Sequence, residues 1–318
     1  MSSLIRIQEA DANNPLSPVK KKKKKRKPIE FLCLGIACIP LIGYIIFNAF
    51  PVIISFIGMF VEMESNDITS MQWNNFQNFV EVFQDPVFWK SWGITFWLAS
   101  AQLITLTIAL IISVLLEQKI KGSKAFQVLF FIPYICSSVA IAVMWSWIFD
   151  KNGIINSIFH SSVNWLNNND NPYTLTWAVF ITILWQAPSY GIVMFKAALK
   201  NVNPSLYEAA SIDGANGFQK FWLVTFPGIK AVTLFLLLAG ITTGLATFDA
   251  VTVLAPIQWT GVAGPDNAGL TISYYIYVTG VQNFDMPNAS VMSWCLFIVN
   301  FLLSFFVIKA RNKASAEA

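Results

Sequence analysis

The chain has 318 residues, 55% of them hydrophobic and 15% aromatic, but only 12% charged, about half the share of an average soluble domain. That balance sets it apart from soluble proteins, and its net charge of +4 does not point to nucleic acid, because the basic residues sit in loops beside apolar runs. Cys33, Cys38, Cys136 and Cys295 all lie within apolar runs without a C-x-x-C pair, and His160 is the only histidine, so no metal, redox site or cofactor is indicated.

Residues 1–19 are polar and aperiodic and are expected to be disordered. Residues 20–27 are an unbroken basic run, Lys-Lys-Lys-Lys-Lys-Lys-Arg-Lys. Such a run also suits nucleic acid, but the uncharged stretch 31–61 that follows favours a cytoplasmic anchor beside anionic lipid. That stretch is too long for a signal-peptide core and no small-residue cleavage site ends it, so it is predicted to be a first spanning helix. Pro40 and Pro51 are expected to kink it or mark its ends. Further spans are predicted at about 91–116, 125–149 (with Pro133 inside), 173–195, 231–255 and 286–308. Polar external loops separate them at 62–90 and 150–172, and a short internal turn lies at 117–124. Residues 270–284 are apolar but studded with Thr, Ser, Tyr and Gln, marginal for a seventh span.

Charge decides the count. With six spans and both termini inside, Lys90 and Lys151 are the only basic residues of 21 left outside, whereas a seventh span would expel the basic C-terminus. The expected fold is an all-α membrane protein with six transmembrane helices and cytoplasmic termini. A tail (1–28) precedes one transmembrane domain (29–312), and a short tail (313–318) ends the chain. Neither an internal repeat nor a separate soluble domain is visible.

The longest internal loop, residues 203–227, has its own local logic. Asn203-Pro204 marks a helix start, and Ser205 with Glu208 three residues on has capping-box spacing. Gly214 suits a left-handed C-cap and Gly217 a further sharp turn. Between them Leu206, Ala209, Ala210 and Asp213 give a mostly small face that lets another surface come close, a docking helix rather than a catalytic one. Whether the Glu208 carboxylate also caps its own helix stays open at this level.

No phosphate-binding loop, H-E-x-x-H, G-x-S-x-G or Cys/His pair occurs, so the sequence proposes no catalytic residue. Energy, if used, must come from a partner, and the internal loop is the place to receive it. A site within lipid for an uncharged, hydrogen-bonding solute needs aromatic platforms and uncharged hydrogen-bonding groups near the midplane. The fourth span supplies Trp185, Gln186, Pro188 and Tyr190; the fifth supplies Thr243, Gly244, Thr247, Phe248 and Asp249. Gly244, thirteen residues past Ala231, sits about 20 Å into the fifth span. Asp249 reads either as a functional acid deep in a span or as a wetted helix end. Most aromatics in so aromatic a chain serve the lipid belt or packing.

Glu208-Ala209-Ala210, three residues, Gly214, nine residues, then Val224-x-Phe226-Pro227 resembles the EAA loop of ABC importer permeases, E-A-A-x3-G-x9-I-x-L-P. Val stands for Ile and Phe for Leu. Softer matches at 119–122, 130–134, 144–149, 185–190, 197–199 and 274–277 extend the resemblance over roughly 30–312, toward the carbohydrate-uptake branch with the maltose and glycerol-phosphate permeases. The resemblance implies a type I importer bundle in a bacterial-type inner membrane and a heterodimer with a second permease. It implies two cytoplasmic ATPase subunits, an external solute-binding protein and a di- or oligosaccharide substrate. It implies ATPase coupling through Tyr207, Glu208, Ala209, Ala210, Asp213, Gly214 and Pro227, and sugar contact along 185–190. A self-sufficient carrier or channel would need inverted halves or a charged relay, and a membrane enzyme paired acids or a metal cluster; neither is found.

Overall fold

The computed structural model describes residues 28–63, 68–117, 122–255 and 262–316. The N-terminal tail with its basic run lies outside the described residues. Two units are distinguished, Met1–Ile53 and Ile54–Ala318. In the first, helix α1 (Pro28–Tyr44) passes through a π turn (Ile45–Ala49) into α2 (Phe50–Gly58), which carries on into the second unit. Neither proline ends this path, so of the two expected outcomes, a kink or an end, the second does not occur. Pro40 lies inside α1. The wider π turn just before Pro51 makes room for a ring that would otherwise crowd the carbonyl four residues back. The same device recurs before Pro227, where residues Phe221–Thr225 form a second π turn.

The second unit opens with a small antiparallel pair, β1 (Val61–Glu62) and β2 (Gln72–Trp73), with Val61 opposite Trp73. Helix α3 (Gln77–Gln84) follows. Its buried Asn78 donates Nδ2 to the carbonyls of Met59 (3.2 Å) and Val61 (2.9 Å), groups left without helical partners where α2 ends. Then come α4 (Pro86–Glu117), α5 (Ser123–Ile135), α6 (Ser138–Ile148), α7 (Ile154–Phe159), α8 (Tyr173–Gln186) and α9 (Pro188–Lys200). Helices α10 (Pro204–Ile212) and α11 (Gly217–Lys220) lead through the second π turn into α12 (Phe226–Leu245), followed by α13 (Asp249–Leu254), α14 (Ile272–Tyr277) and α15 (Met286–Ala316).

Among the described residues, five helical stretches are long and apolar enough to cross a membrane, and a sixth is reached if α5 and α6, bent by 101°, count as one span. Hydropathy locates the apolar part of each helix rather than its ends. Helix α4 begins at Pro86 and α9 runs to Lys200, so Lys196, which the expected span end at 195 leaves just outside the membrane, is buried inside a helix and donates to Gln127 Oε1 at 2.6 Å. The fifth apolar stretch starts at Gly217 instead of Ala231. Residues 270–284 form no span: α14 and a third π turn (Val278–Gln282) are largely buried in the bundle.

Helix α4 is the axle, packed by α8, α9, α12 and α14. Small residues bring the helices together. A Cβ on Gly191 of α9 would stand 2.8 Å from Ala109 Cβ of α4, and Ser113 Oγ reaches across to the Ile192 carbonyl at 3.1 Å. At the end of the bundle where α4 begins, Lys90 pairs with Asp266, the only ion pair among the described residues. Tyr275 Oη donates to Asp85 Oδ2 at 2.6 Å, and burial, with that carboxylate beside it, pushes the phenol well above its ordinary range.

Candidate functional site

Two places collect the residues singled out by sequence. The first is α10. Asn203 is its N-cap, with Oδ1 accepting from the Ser205 amide at 3.0 Å, and Pro204 fills the first helical position. The Ser205–Glu208 box is therefore not formed; the capping box lies one helix on, between Asn216 and Gln219, and Gly217 is the first residue of α11 rather than a turn. With Asn203 capping, the Glu208 carboxylate is exposed and has no partner among the described residues. Gly214 adopts φ +77° and closes α10 in a Schellman motif: the Ala215 amide donates to the Ala210 carbonyl (2.9 Å) and the Gly214 amide to that of Ser211 (3.2 Å).

No residue of α10 is buried. Ala209 and Asp213 are exposed, Ala210 partly so, and apolar Leu206 (51% exposed) and Ile212 (87%) stand in the open. Tyr207 behaves differently. It is half-buried, packs against the buried apolar cluster that includes Val202 and Ile229, and shares a 2.9 Å hydrogen bond with Thr225 Oγ1 in the π turn. It moors α10 to the base of α12. Pro227 occupies the first turn of α12, exposed, and next to it Gly228 lies so close to Val202 that a Cβ would stand 2.8 Å from its methyl. These contacts tie α10, and the chain just past the end of α9, to the start of α12.

The second place is a cavity of about 450 Å³ between α4, the α5–α6 bend, the α8–α9 junction and α12. It brings together three predicted residues, Gln186, Tyr190 and Thr243, and adds Gln102, Thr105 and Tyr134, which sequence reasoning did not single out. Gln102 and Thr105 carried a legible signal, as amide and hydroxyl in the middle of a long apolar helix. The rings of Tyr134 and Tyr190 stack at 5.3 Å. Thr105 and Thr243 donate to carbonyls of their own helices, Gln102 (2.9 Å) and Ala239 (2.9 Å), leaving oxygen lone pairs as acceptors. The Gln102 and Gln186 amides have no partner among the described residues and offer donors and acceptors together. None of the described residues lining the cavity is charged.

The other predicted residues are elsewhere. Trp185 is 43% exposed and meets Trp145 edge-to-face at 5.9 Å. Gly244 is a packing glycine whose Cβ would lie 3.1 Å from Ala99. Thr247 accepts from Thr271 through its carbonyl at 2.8 Å, and Phe248 packs on Tyr274 and Tyr277. Together they fix the break after α12. Asp249 is exposed in the first turn of α13. Among the described residues no three His, Cys, Asp or Glu side chains approach closely enough to hold a metal ion.

The family model for binding-protein-dependent transport system inner membrane components matches residues 106–310. The chain is 31% identical to the probable ABC transporter permease YesP of Bacillus subtilis (strain 168), over 86% of this chain and 87% of that one. It is 30% identical to the lactose transport system permease LacF of Rhizobium radiobacter, over 74% and 80%. The arabinooligosaccharides permease AraP of Bacillus subtilis is 27% identical over 87% of each. The fold matches a chain of a bacterial ABC transporter involved in the import of the acidic polysaccharide alginate, with a TM-score of 0.74, 22% identity, and 90% and 96% of the two chains covered.

Proposed function

The chain belongs to the binding-protein-dependent transport system inner membrane components, multi-pass permeases of ABC transporters, and from that premise we propose that it forms half of the path by which a neutral di- or oligosaccharide enters a bacterial cell. The observation that carries the sugar reading is the cavity: unpartnered amides, hydroxyl acceptors and stacked tyrosines with no charge among the described residues, the chemistry suited to a polyhydroxyl solute. The relatives named for lactose and arabinooligosaccharides support the same class. In this reading Gln186, Tyr190 and Thr243 contact the solute, while Trp185, Gly244, Thr247, Phe248 and Asp249 shape the outer part of the path.

The chain has six spans in this account, α5 and α6 making one broken span, and both termini are cytoplasmic, as the charge distribution favours. The tails are residues 1–28 and 313–318, and 29–312 is the transmembrane domain. A second, similar permease completes the path, an external solute-binding protein delivers the sugar, and two cytoplasmic ATPase subunits drive it. Glu208, Ala209, Ala210 and Asp213 lie against one ATPase. Gly214 shapes the end of the helix they sit on, and Tyr207 and Pro227 pass its movement to α12 as a rigid-body rocking of the spans. The chain itself hydrolyses nothing. Solute-stimulated ATP hydrolysis by the reconstituted complex, scanned over neutral and acidic sugars, tests this: neutral di- or oligosaccharides should stimulate. Transport by the purified chain alone under an ion gradient would overturn it.

A further inference from the structure

The segment between α10 and α12 does not share the chemistry of α10. Helix α10 presents small side chains and a free carboxylate, whereas residues 217–230 contain no acid and carry Phe218, Phe221, Trp222, Leu223 and Phe226 together with Lys220 and Lys230. Phe218 (74%), Leu223 (70%) and Trp222 (50%) are exposed, although Trp222 is ringed by Phe221 (5.2 Å), Phe226 (5.1 Å) and Phe218 (6.2 Å). The 20 residues of α12 rise about 30 Å, the full thickness of a hydrocarbon core, so the nine residues ahead of it stand at headgroup depth. From Leu223 an exposed row runs on through Pro227, Ala231 and Phe235 along the helix, continuous with its membrane-crossing surface.

Resting on the cytoplasmic placement of this loop, we infer that residues 218–223 are a lipid anchor. Phe218, Trp222 and Leu223 insert into the inner leaflet, with Lys220 and Lys230 reaching anionic phospholipid headgroups, while only α10 touches the ATPase. Aromatic rings flanked by lysines are what a bilayer interface holds best, through apolar burial on one side and charge attraction on the other. The loop is thus divided between two partners. The lipid-held segment acts as a fulcrum, so that a push on α10 tilts α12 instead of dragging the whole loop inward.

The test is photocrosslinking of the assembled transporter in nanodiscs, with a photoreactive phenylalanine analogue at position 222 or, separately, at 212, and the adducts identified by mass. Position 222 should yield mainly phospholipid adducts, falling severalfold when phosphatidylglycerol is replaced by phosphatidylcholine or when Lys220→Glu is introduced. Position 212 should yield ATPase adducts. An ATPase or partner-permease adduct as the main product at 222, or a yield indifferent to headgroup charge, overturns the anchor. Failure of position 212 to capture an ATPase would instead count against the coupling role of α10 and leaves the reading at 222 intact.

Discussion

Helix α10 and the cavity wall meet opposite demands. In α10 no residue is buried, and the helix is fixed at its ends, by Asn203 at the start, by Gly214 at φ +77° at the finish and by the single mooring of Tyr207 to Thr225. In the cavity wall α4 and α9 are held along their length by close contact, with Gly191 against Ala109 and Ser113 bonded to the Ile192 carbonyl. The difference fits the separate tasks proposed for the two regions. A surface meant for a partner is stabilised by local capping so that its side chains stay free, whereas a surface meant to enclose a solute is stabilised by packing, so that a few polar groups can be left unsatisfied inside it.

This contrast is easily broken. The largest effect is expected from Glu208→Lys, which places the wrong charge on a free docking face. Solute-stimulated ATP hydrolysis should fall at least ~30-fold, a loss of roughly 2 kcal/mol or more at the interface. The melting temperature should not move, because the residue is exposed and unpartnered. Gly191→Val does the reverse: overpacking against Ala109 should cost about 1–3 kcal/mol and lower the melting temperature of the detergent-solubilised chain. Gln186→Ala removes a cavity amide without touching the helix contacts, so the half-saturating sugar concentration should rise about tenfold with an unchanged melting curve. Smallest is Tyr207→Phe, which gives up one hydrogen bond worth about 1 kcal/mol. ATP hydrolysis should persist while the solute moved per ATP drops severalfold. Were Tyr207→Phe to lower stability as much as Gly191→Val, the division between a locally capped and a packed region would be wrong.

The same division explains what could be read in the sequence. Gly214 and Asn203-Pro204 were legible because caps and left-handed turns are written in a few adjacent residues. Ser205 with Glu208 had capping-box spacing too, but a chain has one N-cap per helix, and Pro204 hands that role to Asn203. Cavity residues were legible only in part. Gln186, Tyr190 and Thr243 were found by type, yet Trp185 was selected with them although neighbours on a helix point about 100° apart and it stands outside the lining. Gln102 and Thr105 were passed over inside an apolar run, because which face of α4 meets the α8–α9 junction depends on contacts far apart in the chain. Pro133 was legible inside the third span, but the 101° bend just past it was not, and α5 packs mainly on α9 whereas α6 packs mainly on α13, partners that lie far away in the chain.

The direct test of the central claim is placement of a short cross-linker at Ala209→Cys, in a background without the native cysteines, in the assembled transporter. The account predicts one dominant adduct, with a nucleotide-hydrolysing subunit, and no reaction of the same cysteine with a membrane-impermeant maleimide added outside intact cells. Labelling from outside, or an assembled transporter in which position 209 never captures the ATPase, would contradict it.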